Sequence, residues 1–224
     1  MPRIGRIYQR AMCYHVMNRG INRGTVFADE IDFEVFKELV MLYKERTKAK
    51  VYHWVLMGNH FHLVIEIEHE RLRGFIGGIE QKYVWHNHHR HGTSGVFWQG
   101  RFKSKPVEIG GYLVSCGRYI ERNPVRAGLV VEPWSYRWSS AGHYVKSKDD
   151  EVTDTNKYLG KFGGREREMY AEALMSGVDE AMIRGTNRFR VIGTPEYASK
   201  LQVSRGRHKL RRGRPANQAV RINE

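Results

Sequence analysis

The stretch VYHWVLMGNHFHLVIEI, residues 51 to 67, constrains the fold more than any other part of the chain. Two β-rich runs, Val51 to Met57 and His60 to Ile67, are joined by Gly58 and Asn59, whose backbones tolerate a turn, so an antiparallel hairpin is expected. Side chains alternate along a strand. Phe61, Leu63, Ile65 and Ile67 therefore share a face apolar enough to lie under helices, while His60, His62, Val64 and Glu66 share the other. Two imidazoles side by side on a rigid strand can act as metal ligands, because a sheet fixes their separation. The same pair equally suits two histidines satisfied by polar neighbours, in a chain that has eleven of them. A third ligand and a reactive group are needed to decide.

The flanks extend the pattern. AMCYHVMNRG, 11 to 20, reads as a strand ended by Gly20. A helix follows, with Asp29 as N-cap and Ile31, Val35, Leu39, Leu42 and Tyr43 close to helical spacing. After the hairpin, a second helical pattern runs from about His69 to His89, with Leu72, Phe75, Ile76, Ile79, Tyr83 and His86 on one side. Gly74, Gly77 and Gly78 inside it cost about 1 kcal/mol each relative to Ala. They either loosen the helix or let another group approach its backbone. A further strand is expected near Phe102 to Glu108. The order β-α-β-β-α-β predicts an α+β fold with a ferredoxin-like antiparallel sheet, both helices on one face. The face with His60 and His62 is then uncovered and open to a ligand.

The segment GGYLVSCGRYIERNPVRAGLV, 110 to 130, predicts another helix. Leu113, Val114, Gly117 and Ile120 form one side; Tyr112, Cys116, Tyr119 and Asn123 fall on another. Pro124 discourages helical geometry at Asn123 and should end the helix there. A phenol and an amide are thus displayed together at a helix terminus, a pattern that an amphipathic helix capped by Asn-Pro would also give.

Composition narrows the partner. Thirty-eight Lys and Arg against 24 Asp and Glu leave a net charge of +14, which points to a polyanion, above all nucleic acid. No basic amphipathic helix suggests a membrane surface. Two cysteines provide no disulfide framework and suit a reducing compartment. No run reaches the length of a membrane span, and MPRIGRIYQR lacks the apolar core of a signal peptide. A cytoplasmic, nucleoid-associated protein is expected.

YHVMNRG, VLMGNHFHLV, FWQGRFKS and YIERNPVRAGLV followed by PWSYRWSS occur in this order between about residues 7 and 145. Together they resemble the single-tyrosine HUH transposases, and most closely the REP-associated tyrosine transposase branch, which acts on repetitive extragenic palindromes in bacteria. The chain departs from the family in having MGNH where Met-Pro-Asn-His is more usual, and in the three glycines at 74, 77 and 78. The resemblance implies that His60 and His62 are the HUH pair, that Asn123 is a third, amide ligand, and that they hold Mg²⁺ or Mn²⁺. It implies that Tyr119 is the nucleophile that cuts single-stranded DNA through a 5′-phosphotyrosine. Tyr112 lies two turns before Tyr119 but lacks an Asn-Pro one turn on, and Tyr83 sits at a core spacing. Glu66 reads as a hydrogen-bond partner. Relatives act as monomers or as homodimers, and the sequence leaves both open. A non-catalytic palindrome-binding protein on the same fold is the alternative, and an RNA-binding one a third.

Cations interleaved with aromatic residues can follow phosphates while rings stack on unpaired bases. Arg90, Trp98, Arg101, Lys103 and Lys105 are the candidates of this kind in the main domain, and RHGTSGVFWQGRF, 90 to 102, reads as a loop at the edge of the active site. Trp134 and Trp138 suit packing. The catalytic domain is expected over 1–145, a polar linker over 146–156 and a small helical extension over 157–203, with Tyr170, Leu174, Met182 and Phe189 as contacts. A basic, flexible tail over 204–224 carries Arg205, Arg207, Arg211, Arg212 and Arg214 as further DNA contacts.

Overall fold

The computed structural model describes residues 11–158, 163–177 and 191–208, with side chains up to Leu201. Four strands, β1 (Met12–Arg19), β2 (Lys50–Met57), β3 (His60–Ile67) and β4 (Lys103–Val107), form an antiparallel sheet in the order β2-β3-β1-β4. With α1 (Glu30–Thr47) after β1 and α2 (His69–His91) after β3, this is the ferredoxin-like order expected from the hairpin and its flanks.

The first sheet face is the main core. Val16, Trp54, Leu56, Phe61, Leu63 and Ile65 pack with Phe36 and Val40 of α1 and with Leu72, Phe75, Ile79 and Tyr83 of α2. Each large apolar side chain so buried contributes about 1.5–3 kcal/mol. Asp29 caps α1 as expected, accepting from the amides of Ile31 and Asp32. The buried stripe of α1 is Asp32, Phe36 and Val40, however, and Ile31 is exposed. The stripe is rotated because Asp32 is a buried hub: its carboxylate accepts from Ala28 N at 2.9 Å and from Arg90 at 2.9 Å, and meets His91 Nε2 at 2.9 Å. Of the three glycines in α2, Gly78 answers a close approach, since a Cβ there would lie 2.2 Å from the Tyr43 ring of α1.

The second face is not bare. A bulge in β2 between Val51 and His53 sets Tyr52 and His53 on the same side of the sheet. Helix α3 (Gly111–Glu121) lies over them, burying Leu113, Cys116 and Ile120 against Cys13, Tyr52, Val55, Val64 and Val107. Gly117 allows the approach, because a Cβ there would sit 2.5 Å from the His53 ring. The helix stops at Glu121 and resumes after Arg122 as a short α4 (Asn123–Arg126). Asn123 is thus helical after all. Pro124 falls in the first turn of α4, where its missing N–H has no partner to lose.

Beyond the sheet lie α5 (Ala141–Lys146), α6 (Gly164–Met175) and α7 (Pro195–His208). Ala141, Tyr144, Tyr170 and Leu174 form a third apolar cluster, with Val114 and Trp134 beside it, and Trp138 stacks on Phe33 at 4.7 Å. Met182 and Phe189 lie outside the described residues. The stretch 146–156 is laid along β2: Asp154 N donates to Val51 O at 2.7 Å, and Trp54 Nε1 donates to Asp150 and Thr153, each at 3.1 Å. Further along the same margin, Leu56 N donates to Trp138 O and Ser140 N to Trp54 O. At the opposite margin, beside β4, Ile192 N donates to Pro106 O and Glu108 N to Ile192 O. Among the described residues no helix is long and apolar enough to cross a membrane.

Candidate functional site

Where α3 leaves the second face uncovered, near the C-terminal end of β1 and the start of β3, an open pocket of about 320 Å³ remains. His15, His60, His62, Tyr119 and Asn123 line it, with Arg19, Arg23 and Lys105 supplying positive charge. Strand pairing accounts for the convergence. Met17 stands opposite His62, and His15 opposite both Val64 and Lys105, so alternate residues of three strands share this face.

Both imidazoles of the hairpin are held through Nδ1. His60 Nδ1 donates to the Asn59 side-chain oxygen at 2.6 Å, which leaves Nε2 with its lone pair. His62 Nδ1 lies 2.9 Å from His15 Nε2, and the two rings stack with centroids 5.1 Å apart. In the tautomer in which His62 donates to His15, the Nε2 of His62 also carries a lone pair. Burial keeps these rings neutral. It lowers His15 to about 3, with the Lys105 charge adding to the effect, and His60 to about 4, helped by Arg19. His62 is pushed well below the usual histidine range by burial, then by His15, His60 and Arg126. Neutral imidazole is the form that binds a metal.

The phenol and the amide come from the end of α3 and the start of α4. Tyr119 presents its ring edge-on to His62 at 6.4 Å, and the Arg126 guanidinium lies over that ring at 5.1 Å. Asn123 Nδ2 donates to the main-chain oxygens of Ile120 at 2.8 Å and Tyr119 at 3.3 Å. The amide thereby satisfies the end of α3 with its nitrogen and keeps its oxygen for the pocket. Among the described residues no group of three or more His, Cys, Asp or Glu side chains could hold a metal. The donors that converge here are two imidazoles and one amide, a set that fits a borderline divalent ion such as Mn²⁺ better than Mg²⁺, which favours oxygen.

The four residues expected at the reactive centre, Tyr119, His60, His62 and Asn123, thus line one pocket. Tyr112 does not line it, and Tyr83 is buried with its hydroxyl donating to Val26 O at 2.7 Å. Glu66 lies far along β3, accepting from Tyr52 and, at 2.8 Å, from Lys157. The cations and rings named for DNA contact divide. Lys105 lines the pocket, where burial pushes it down to about 8. Arg101, just before β4, and Lys103, its first residue, are exposed. Arg90 is committed to Asp29 at 2.6 Å and Asp32 at 2.9 Å, and Trp98 packs against Phe61, Tyr83 and Phe97. The loop that carries Trp98 does border the site, since Gln99 N donates to Arg19 O at 2.9 Å. The side chains of Arg205 and Arg207, and all of Arg211, Arg212 and Arg214, lie outside the described residues.

Sequence reasoning missed His15, Arg19, Arg23, Asn59 and Arg126. The alternation of β1 puts His15 on one face but not beside His62, which needs the strand order. Arg126 could have been found three residues after Asn123, where a helix that continues past Pro124 returns to the same side.

The family model described as transposase IS200-like matches residues 8–123, just over half of the 224-residue chain. A solved structure of a REP-associated tyrosine transposase bound to a REP hairpin is similar at 18% identity, covering 70% of this chain and 96% of that one, with a TM-score of 0.56. A protein of Deinococcus radiodurans R1 assigned as a transposase is similar at 15% identity over 57% of this chain and 92% of that one, with a TM-score of 0.37. No curated protein matches.

Proposed function

Because the chain belongs to the IS200-like transposase family, we propose that it cuts and rejoins single-stranded DNA beside a hairpin, using Tyr119 as the nucleophile. The observation that carries this reading is the meeting of Tyr119, His60, His62 and Asn123 in one pocket. The Tyr119 hydroxyl gives up its proton to solvent and its oxygen attacks the phosphorus of a phosphodiester. A bond forms between the phenolic oxygen and phosphorus, the bond from phosphorus to the 3′ oxygen breaks, and the released strand leaves as a 3′-OH after taking up a proton. The 5′ end stays on Tyr119 as a phosphodiester, so bond energy is kept and a second 3′-OH can reverse the step without ATP.

His60, His62 and Asn123 would hold a divalent cation, Mn²⁺ or Mg²⁺, which when bound neutralises charge on the scissile phosphate. Arg19, Arg23 and Lys105 surround the same pocket and suit the phosphates on either side of the cut. Arg126, over the ring of Tyr119, holds the phenol and adds positive charge where phosphate must arrive. The net charge of +14 supports a polyanionic substrate, and the hairpin carried by the REP-associated relative supports a hairpin partner. A palindrome-binding protein without cleavage is the second reading, and intact Tyr119, His60, His62 and Asn123 favour the enzyme over it.

The test is incubation with a library of single-stranded palindromic oligonucleotides and Mn²⁺, followed by mass spectrometry of the digested protein. A nucleotide should be found on Tyr119. The Tyr119→Phe variant removes one oxygen and keeps the ring, so it should bind hairpins normally and form no adduct. An adduct on another tyrosine, or cutting by the phenylalanine variant, overturns the assignment.

A further inference from the structure

Residues 164–177 lie beyond the stretch that matches the transposase family model, yet they grip the helix that carries Tyr119. Arg118, immediately before Tyr119, donates to the main-chain oxygens of Ala173 and, at 2.6 Å, Gly177. One turn later Arg122 donates to Met175 O at 3.0 Å. These oxygens belong to the last turn of α6 and the residues just after it. Carbonyls at a helix end lack intrahelical donors and form the negative end of the helix dipole, so two guanidinium groups suit them.

Between the arginines stands Glu121, fully buried. It accepts from Tyr170 of α6 at 2.7 Å and from Ser140 at 2.5 Å, and its Oε1 lies 2.9 Å from His53 Nδ1 of β2. A single carboxylate therefore ties α3 to α6, to the entry of α5 and to the sheet. Among the described residues the sheet also holds α3 by apolar contact, through Leu113, Cys116 and Ile120. Such contact is non-directional and constrains the slide and turn of a helix less sharply than hydrogen bonds at fixed donors and acceptors.

We infer that α6 is a splint for the nucleophile, setting the axial position and rotation of α3 so that Tyr119 faces His60 and His62. Arg118, Glu121 and Arg122 are its positioning residues. Arg118, Arg122 and Arg126 also form a helical row that would pass for a DNA-binding stripe, but the first two are already engaged by α6 and only Arg126 attends the Tyr119 ring. The inference rests on the reading of Tyr119 as nucleophile in its catalytic consequence, and not in its structural one.

The experiment compares the full chain with R118M/R122M, with Tyr170→Phe as a second, milder variant, and with R118K/R122K, which still donates. Three quantities are read: hairpin oligonucleotide affinity, single-turnover adduct formation with Mn²⁺, and hydrogen exchange of residues 111–126 against residues 50–67. In R118M/R122M the adduct rate should fall by about 10- to 100-fold. Exchange over 111–126 should quicken by about tenfold while 50–67 is unchanged, with hairpin affinity held within about twofold. Tyr170→Phe should move the same two readouts less, and the lysine pair should retain most of both. Unchanged exchange over 111–126 in both R118M/R122M and Tyr170→Phe overturns the splint. Affinity falling in step with the adduct rate overturns it too, by showing that the arginines contact DNA. If the unaltered protein forms no adduct, the nucleophile assignment fails, and the exchange comparison still decides whether α6 holds α3.

Discussion

Gly117→Ala probes the setting of Tyr119 from the sheet side. A Cβ at 117 falls 2.5 Å from Cε1 and Nδ1 of His53 and 2.6 Å from its Cγ, where ordinary contact begins at 3.4 Å. Roughly 1 Å must be found. His53 cannot yield it, being fully buried, 2.9 Å from Glu121 and stacked on Tyr144 at 4.7 Å. Helix α3 has to lift or tilt instead. Overpacking of this kind costs about 1–3 kcal/mol, which for a chain of this size lowers Tm by about 2–12 °C. Tyr119 is two residues on, and a displacement of about 1 Å at a reacting group is enough to cost about 100-fold in rate. Single-turnover adduct formation on a hairpin substrate should therefore collapse while hairpin affinity, measured by fluorescence anisotropy, stays near that of the parent. An adduct rate within about twofold of the parent, in protein whose Tm has dropped, would refute the idea that the height of α3 over β2 sets the nucleophile.

Other expectations follow from single contacts. His15→Phe keeps a ring beside His62 but removes its hydrogen-bond partner, so Mn²⁺ affinity read by electron paramagnetic resonance should weaken by about 10- to 100-fold; equal affinity would show that His15 does not orient His62. Lys105, lowered to about 8 by burial, is cationic below that pH and loses its charge as pH rises through it. Hairpin affinity should drop between pH 7 and 9, and Lys105→Arg should remove that drop; a drop that persists assigns it to another group. Asp29→Ala removes the N-cap of α1 and a partner of Arg90, and should cost about 1 kcal/mol by urea denaturation; no loss would mean the cap is idle. Deleting residues 204–224 should flatten the dependence of log affinity on log salt, and an unchanged slope would show that the basic tail does not touch DNA.

The hairpin was legible because alternation in 51–67 is purely local, and the same local rule put His60 and His62 on one face. Asp29 as a cap and the pairing of Tyr119 with Asn123 one turn apart are likewise features of near neighbours. What escaped depends on contacts distant in sequence. The apolar side of α3 was visible as Leu113, Gly117 and Ile120, but its seat on the second face was not, because Gly117 meets His53 only once the strands are paired, and the bulge in β2 adds Tyr52 to the same patch. Asp32 reads as a solvated helix residue until Arg90 and His91 arrive from the far end of α2. The same arrival removes Arg90 from the residues that front the pocket, and Trp98 is drawn inward by a cluster that no short window contains.

A β-sheet can grow by recruiting any extended strand that finds unpaired amides along its rim. Here both rims are occupied by later parts of the same chain. On β2, the outward groups of Val51, Trp54 and Leu56 are taken by Asp154, Ser140 and Trp138, and Tyr52 O accepts from the Tyr144 hydroxyl. On β4, Pro106 offers no N–H at all, and its carbonyl is answered by Ile192. A fragment cut at Asn123, where the family match ends, would keep Tyr119, His60, His62 and Asn123 and yet lose this hem on both sides. Its exposed ladders would be templates for one another, so such a fragment should precipitate or fibrillise where the whole chain does not.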